Sequence, residues 1–255
     1  MFETLESRML LSVLAKGVLK ITGSGRADAI NVSQRKANII VQINGRQEHF
    51  KLKSVRQIQI SGGKGNDDIE TVGKLPGMSI SGGPGNDRVV GADRPDTIHG
   101  DAGKDTLYGL GGNDIIFGDA GNDQIAGGEG GDAIDGGLGN DSMTGDNGND
   151  TIHGADGDDW IAGGNECQAG TEHEIHTCGP IAAGTDDDQI FGDGGADHLY
   201  ASKGLDTLNG GDGDDFFVIQ NIPPALAAVV DGGAGNDTIG KKGPDTQVSN
   251  VEVFQ

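Results

Sequence analysis

Aspartate is the residue whose spacing in this 255-residue chain could do chemistry. Cut into rows of nine from Gly82, the sequence reads GGPGNDRVV, GADRPDTIH, GDAGKDTLY, GLGGNDIIF, GDAGNDQIA, GGEGGDAID, GGLGNDSMT, GDNGNDTIH and GADGDDWIA, without a gap to Ala162. AGTDDDQIF, GDGGADHLY, ASKGLDTLN and GGDGDDFFV follow from Ala183 to Val218, and GGKGNDDIE and GGAGNDTIG stand apart at 62–70 and 232–240. All 15 rows carry Asp at position six and an apolar residue at position eight, and glycine fills position one in 13 rows and position four in 13. Glycines at these places permit left-handed backbone angles and turn successive carbonyl oxygens toward one point. The short Asp carboxylate reaches a calcium ion at about 2.3–2.6 Å, where Glu would swing on an extra methylene. The chemistry on offer is a cradle of hard oxygen donors. A solvated acidic turn would also use Asp and Gly, but it does not demand Asp at one phase in every row.

The elements that must position these aspartates follow from the rest of the row. A strand over the last three positions sends position eight inward and its neighbours outward. Ile98, Leu107, Ile116, Ile125, Ile134, Met143, Ile152 and Ile161 then form a thin apolar ladder. If two rows close one coil, rows two apart stack on the same side, which sorts the acids into two columns. Asp87, Asp105, Asp123, Asp141 and Asp159 make one, and Asp96, Asp114, Asp132 and Asp150 the other. At a strand spacing of about 4.7–4.9 Å, two carboxylates repel by about 3.5 kcal/mol at an effective dielectric near 20, or about 0.9 in water. Burying one Ile returns roughly 1.5–3 kcal/mol. The expectation is a roll that is marginal without metal, with calcium as a folding cofactor.

Composition agrees with a thin core. Only 34% of residues are hydrophobic and 4% aromatic, so a close-packed core of large side chains is excluded. The formal charge of −22 argues against a nucleic-acid or anionic-membrane partner. No run of 18 apolar residues is present to span a bilayer. Charge is uneven: residues 1–60 hold 10 of the 18 basic residues and 4 acids, which places a boundary near Ser61. In that basic part Leu19 and Ile21, Ile39, Val41 and Ile43, Phe50 and Leu52, and Ile58 and Ile60 alternate, which predicts short strands joined by Gly and Asn turns.

Rows of the form G-G-x-G-x-D-x-U-x, with U apolar, resemble the RTX, or haemolysin-type, calcium-binding nonapeptide repeats. The likeness spans residues 62–240. It implies an all-β fold, a parallel β-roll in which two nonapeptides make one coil. It also implies that each ion lies between two same-side turns. One turn gives the carbonyls of positions two and four with its Asp, the next the carbonyls of positions one and three with its Asp. Carried over, this names Asp119, Gly121 and Asp123 with Gly136, Leu138 and Asp141, and Gly128, Gly130 and Asp132 with Gly145, Asn147 and Asp150. Asp188, Asp197, Asp206, Asp215 and Asp237 join the candidate ligands, and same-side pairing allows up to 11 ions. Some rows depart from the pattern. Arg94 replaces the position-four Gly, Ala201-Ser202-Lys203 brings a cation into its turn, and Thr71–Ser81 contains no acid, so Asp67 is expected to lack a full partner.

Twenty residues are added between Gly163 and Gly184, shown by the 29-residue step from Asp159 to Asp188. Cys167 and Cys178 in this insert can close a 12-residue loop as a disulfide, which suits a secreted protein. With His173 and His176 they could instead hold zinc, although C-x5-H-x2-H-x-C is not a usual spacing, or they could remain thiols. HEIH at 173–176 is one residue short of H-E-x-x-H. His99 and His153 occupy position nine, face outward and lie three coils apart, too far to share a ligand. No nucleophile elbow, P-loop or dinucleotide fingerprint is present.

The start is a poor secretory signal, but LESRMLLS at 5–12 is similar to the LEPR-xLL motif near the start of some bacterial exported proteins, with Ser7 in place of Pro. The expected layout is an export-type or disordered N-terminus at 1–16, a basic β cap at 17–61, and a β-roll at 62–240. The roll carries the insert at 165–183 and a loop at 219–231, and a capping strand at 241–255 follows. The function expected is a non-enzymatic, secreted or cell-surface calcium-binding protein, as spacer, surface-layer or adhesive element, whose partner would be a cell-surface or matrix component. The alternatives are an accessory module of a secreted enzyme or toxin, a zinc-binding insert, and ice binding. The last is disfavoured because position three shows no Thr ladder.

Overall fold

The computed structural model describes residues 12–164, 187–201, 205–219, 228–241, 247–249 and 252–253. Cys167, Cys178, His173, His176 and the motif residues 5–11 lie outside them. Among the described residues there is no α-helix, only one 3-10 turn at Leu52–Ser54. The strands build two sheets, of 12 and 13 strands, and successive rows alternate between them. From the first repeats onward every strand pairing among the described residues is parallel. In one sheet Ile98 is paired with Ile116, Ile134 with Ile152, and Ile152 with Ile190. In the other, Leu107 is paired with Ile125, Met143 with Ile161, and Ile161 with Leu199. This is a parallel β-roll, as the resemblance to the RTX repeats implies.

The core is one residue deep. Each strand turns its position-eight side chain into the gap between the sheets, and Ile98, Leu107, Ile116, Met143, Ile152 and Ile161 are all fully buried. Glycine at position one keeps the next inward place free of side chain, which lets the two sheets approach and the acidic turn close over the edge of the core.

The basic segment enters the same sheets. Val18–Thr22 pairs in parallel with Gln57–Ser61, and Ala29–Arg35 pairs in parallel with Asp68–Val72. The change of charge near Ser61 is therefore not matched by a break in either sheet. What differs is the addition of antiparallel strands. Ser12–Ala15 folds back on Val18–Thr22 through Lys16 and Gly17, both left-handed, and Asn38–Ile43 and Arg46–Lys51 extend the other sheet as a hairpin through Asn44 and Gly45. Leu19, Ile21, Ile30, Val32, Ile39, Val41 and Ile43 pack there as a denser core. At the far end Gln247–Ser249 and Glu252–Val253 are the last strand of each sheet.

Candidate metal centre

Every position-six Asp in the described rows is buried at the turn between the sheets. The two columns read from the sequence are present, and backbone hydrogen bonds link their members. The N–H of Asp87 donates to Oδ1 of Asp105, that of Asp105 to Asp123, of Asp123 to Asp141, and of Asp141 to Asp159, at 2.7–2.8 Å. The same bond joins Asp96 to Asp114, Asp114 to Asp132 and Asp132 to Asp150. The insert does not interrupt the columns: Asp150 donates to Asp188 and Asp159 to Asp197, and the series goes on through Asp206, Asp215 and Asp237.

Each Oδ1 is thus engaged, and the second oxygen decides the chemistry. In Asp67, Asp87, Asp105, Asp114, Asp123, Asp132, Asp141, Asp150, Asp159, Asp197, Asp215 and Asp237, Oδ2 is buried with no hydrogen-bond partner among the described residues. In all twelve of these turns, position two is left-handed. That residue is Gly in some turns, but it is Asp101, Leu110, Asp119, Asp146, Ala155 or Asp193 in others, at φ of 68–74°. A non-glycine residue costs roughly 1–2 kcal/mol in that region, and such strain persists only where the surroundings require it. Two turns provide the contrast. Ser24 and Ala92 are not left-handed, and there the position-two N–H donates to Oδ2 of Asp28 and of Asp96. The left-handed residue turns its amide away and leaves the carboxylate oxygen without a donor.

Carbonyl oxygens converge on the same space. A β-carbon built on Gly136 would lie 2.5 Å from Oδ2 of Asp141 and 2.8 Å from the carbonyl oxygen of Gly154 one coil on, and one on Gly100 would lie 2.6 Å from Oδ2 of Asp105 and 2.7 Å from the Gly118 carbonyl. The residues named from the sequence are brought together. Gly121 donates its N–H to the Leu138 carbonyl and Leu138 donates to the Asp119 carbonyl, each at 2.8 Å, beside the Asp123–Asp141 bond. Gly130 donates to the Asn147 carbonyl at 2.8 Å, while Gly128 pairs with Asp146 beside Gly145. No group of three or more His, Cys, Asp and Glu side chains capable of holding a metal is present among the described residues. An ion in these turns would therefore rely on backbone carbonyls with the carboxylates, an all-oxygen donor set that fits calcium.

The electrostatics point the same way. Burial is the main cause that raises the pKa of these acids. Backbone N–H bonds oppose it, from the preceding Asp in most turns and from Met78 and Ala92 for Asp96. Nearby carboxylates add to it: column neighbours for Asp105, Asp114, Asp141, Asp150 and Asp197, Asp119 for Asp123, and Asp158 and Asp193 for Asp159. Asp105, Asp114, Asp141 and Asp197 are pushed up to about 7 and Asp150 to about 8. Asp67, Asp96, Asp123, Asp159 and Asp215 rise to about 6. A column of fully ionised carboxylates is unfavourable unless positive charge is placed within it.

One sequence expectation changes and one row is added. Asp67 does have partners on both sides: it donates to Oδ1 of Asp87 and accepts from the N–H of Asp28, because the 20-residue step to Asp87 is absorbed within the coil. The turn at Gly23–Asp28 is one more row, stacked before that of Asp67. Its signal is Gly23, then Asp28 five residues on, then Ile30, the same positions one, six and eight; Arg26 at position four and the 39-residue step to Asp67 hide it. The Arg94 turn is altered as its sequence implies, since Asp96 closes on its own turn. His99 and His153 face outward, stack on Phe117 and Phe191 at 4.6 and 4.5 Å, and reach Asp119 and Asp193 at 3.0 and 2.9 Å.

Fold and site together define a parallel β-roll whose stacked glycine turns present buried carboxylates to one another. A family model, the RTX calcium-binding nonapeptide repeat (4 copies), matches residues 81–116, 108–143, 135–166, 182–217 and 229–239, together just over half of the chain. The chain belongs to the RTX calcium-binding nonapeptide repeat family. No curated protein matches it.

Proposed function

We propose that this protein is a non-enzymatic, secreted or cell-surface element that calcium folds into a rigid roll. The ions would sit between same-side turns, held by Asp119, Gly121 and Asp123 with Gly136, Leu138 and Asp141, and by Gly128, Gly130 and Asp132 with Gly145, Asn147 and Asp150. The same pattern continues through Asp87, Asp105, Asp114, Asp159, Asp188, Asp197, Asp206, Asp215 and Asp237, for up to eleven pairs; Asp96, whose Oδ2 already accepts from the Ala92 N–H, departs from it. Asp67 with Asp87 adds one more. Bound calcium supplies positive charge that neutralises the column and ties each coil to the next. The observation that carries this reading is the coincidence, in twelve turns, of a left-handed position two with a partnerless Asp oxygen. Backbone strain and a buried bare carboxylate are both unfavourable, and a cation offsets both. Weak sites suited to millimolar external calcium would leave the chain unfolded in a cell and folded outside it.

The test is a count of bound calcium by elemental analysis, with circular dichroism during titration. Asp123→Ala is expected to remove one or two ions and shift the folding midpoint to higher calcium. Asp28→Ala is expected to leave the count unchanged, because Ser24 and Asn44 already satisfy Asp28. An unchanged count for Asp123→Ala, or a β spectrum indifferent to EDTA, would overturn the proposal.

A further inference from the structure

The single Trp and both Tyr of the chain lie on one surface, the outer face of the 13-stranded sheet. Tyr108, Trp160 and Tyr200 each neighbour an inward residue, Leu107, Ile161 or Leu199, and so point away from the core. Strand register places Tyr108, Ala126, Thr144, Ala162 and Tyr200 in one column. Large rings stand at its ends and small side chains between them. The trough from Tyr108 to the strand bearing Trp160 is three strand spacings long, about 14 Å. It deepens beside Gly128 into a depression that Glu129, Asp146 and Asn147 also line.

Both ends are fixed in place. The Arg88 guanidinium lies 5.9 Å from the centre of the Tyr108 ring, and that residue remains 37% exposed. Trp160 donates its Nε1–H to the Tyr200 hydroxyl at 3.1 Å, with the rings 4.5 Å apart and tilted by 44°. Rings held this way lose little entropy when something stacks on them. Polar groups occupy the trough between them: Thr144 donates to Asp146 at 3.2 Å and Asn147 to Glu129 at 3.0 Å, which leaves further carboxylate lone pairs to accept.

Flat apolar platforms at a distance, with hydrogen-bond acceptors between them, match a chain of pyranose rings. Such a chain presents C–H faces to aromatic rings and hydroxyls to carboxylates. The net charge of −22, with Glu129 and Asp146 in the trough itself, disfavours an anionic polymer. We infer that this trough binds an uncharged oligosaccharide of three or four pyranose residues lying along the roll axis.

Trp160 is a built-in reporter. Calcium-loaded full-length protein is titrated with cellotetraose and chitotetraose while its fluorescence is followed. The expected result is a saturable change with at least one of them, stronger than with the matching disaccharide. Tyr108→Ala should weaken binding roughly tenfold, the worth of one aromatic contact, and Tyr108→Phe should keep it. Ala126→Tyr, which fills the floor of the trough, should abolish it; this variant keeps the test decisive if Tyr108→Ala does not fold. Phe117→Ala, on the opposite sheet, should bind as the parent does. The inference fails if neither tetrasaccharide gives a saturable change, if Ala126→Tyr binds normally, or if a polyuronate competes as well as the neutral sugars.

Discussion

The first coil and the coils of the acidic roll both bury an aspartate at the turn between the sheets, and they treat it differently. Asp28 is met by protein donors: the Ser24 N–H reaches one oxygen and the Asn44 side-chain amide the other. Asn44 belongs to the hairpin that extends the sheet, and it also accepts from the Ala29 N–H at 2.9 Å. Around this turn Leu19, Ile21, Ile30, Val32, Ile39, Val41 and Ile43 pack together. A coil in the middle of the roll has one inward aliphatic per strand, such as Ile134 and Met143, and its Asp141 keeps a bare oxygen. One end thus holds its charge with hydrogen bonds and a dense core, and the other keeps carboxylate oxygens that no protein donor meets. The lesson is directional. If calcium folds the roll as proposed, the basic end would fold first and offer its sheet edges as the template on which further coils are added.

The largest effect that could break this comparison is seen in hydrogen exchange in EDTA. Amides of Val18–Thr22 and Ala29–Arg35 are expected to stay protected, while those between Thr97 and Gly164 exchange within seconds. Equal protection, or equal loss, in the two regions would remove the distinction.

Acid should separate them next. An Asp whose folded pKa exceeds its unfolded value of 3.8 holds its proton more firmly in the folded state. Its contribution is complete below about pH 4 and is lost as pH rises through the folded value, about 6–8 for the roll acids. Without metal, the β signal of the roll should therefore grow as pH falls from 8 to 5. With excess calcium the order reverses, because protons compete for the ligands. A metal-free roll that loses structure on mild acidification contradicts the buried, bare carboxylates.

The smallest test uses two glycines. A β-carbon on Gly121 would overlap the Gly103 carbonyl oxygen, and its φ of 150° resists any side chain, so Gly121→Ala should cost roughly 2–4 kcal/mol in calcium-bound stability. Nothing lies within 4 Å of a β-carbon on Gly25 in the first turn, and Gly25→Ala should change stability by less than about 1 kcal/mol. Thermal melts in saturating calcium compare them. Similar losses at both sites would mean the first turn is packed like the rest.

Much of this arrangement is legible in the residues. Position eight supplies the ladder from Ile98 to Ile161, because a strand can send only alternate side chains inward. The 18-residue step sorts Asp123 with Asp141 and Asp132 with Asp150, since two rows close one coil. The Gly23–Asp28 turn escapes such reading: it is a single row, distant from the next, with Arg26 where the repeat has glycine. The partners of Asp67 escape it as well, because a 20-residue step and an 18-residue step look different in sequence and equal in space.

Sequence by itself determined the period and the oxygen-donor character of the turns, since both rest on a local pattern of residue types repeated at fixed spacing, and the family resemblance carried by that pattern implied the fold class. Tertiary structure alone decided which carboxylate oxygens have donors. That depends on the sign of φ at position two and on whether a hairpin such as the one bearing Asn44 reaches the turn. Backbone handedness at a non-glycine residue and contact across 16 residues of chain are set by packing of coil on coil, not by the identity of the residue that bears the charge.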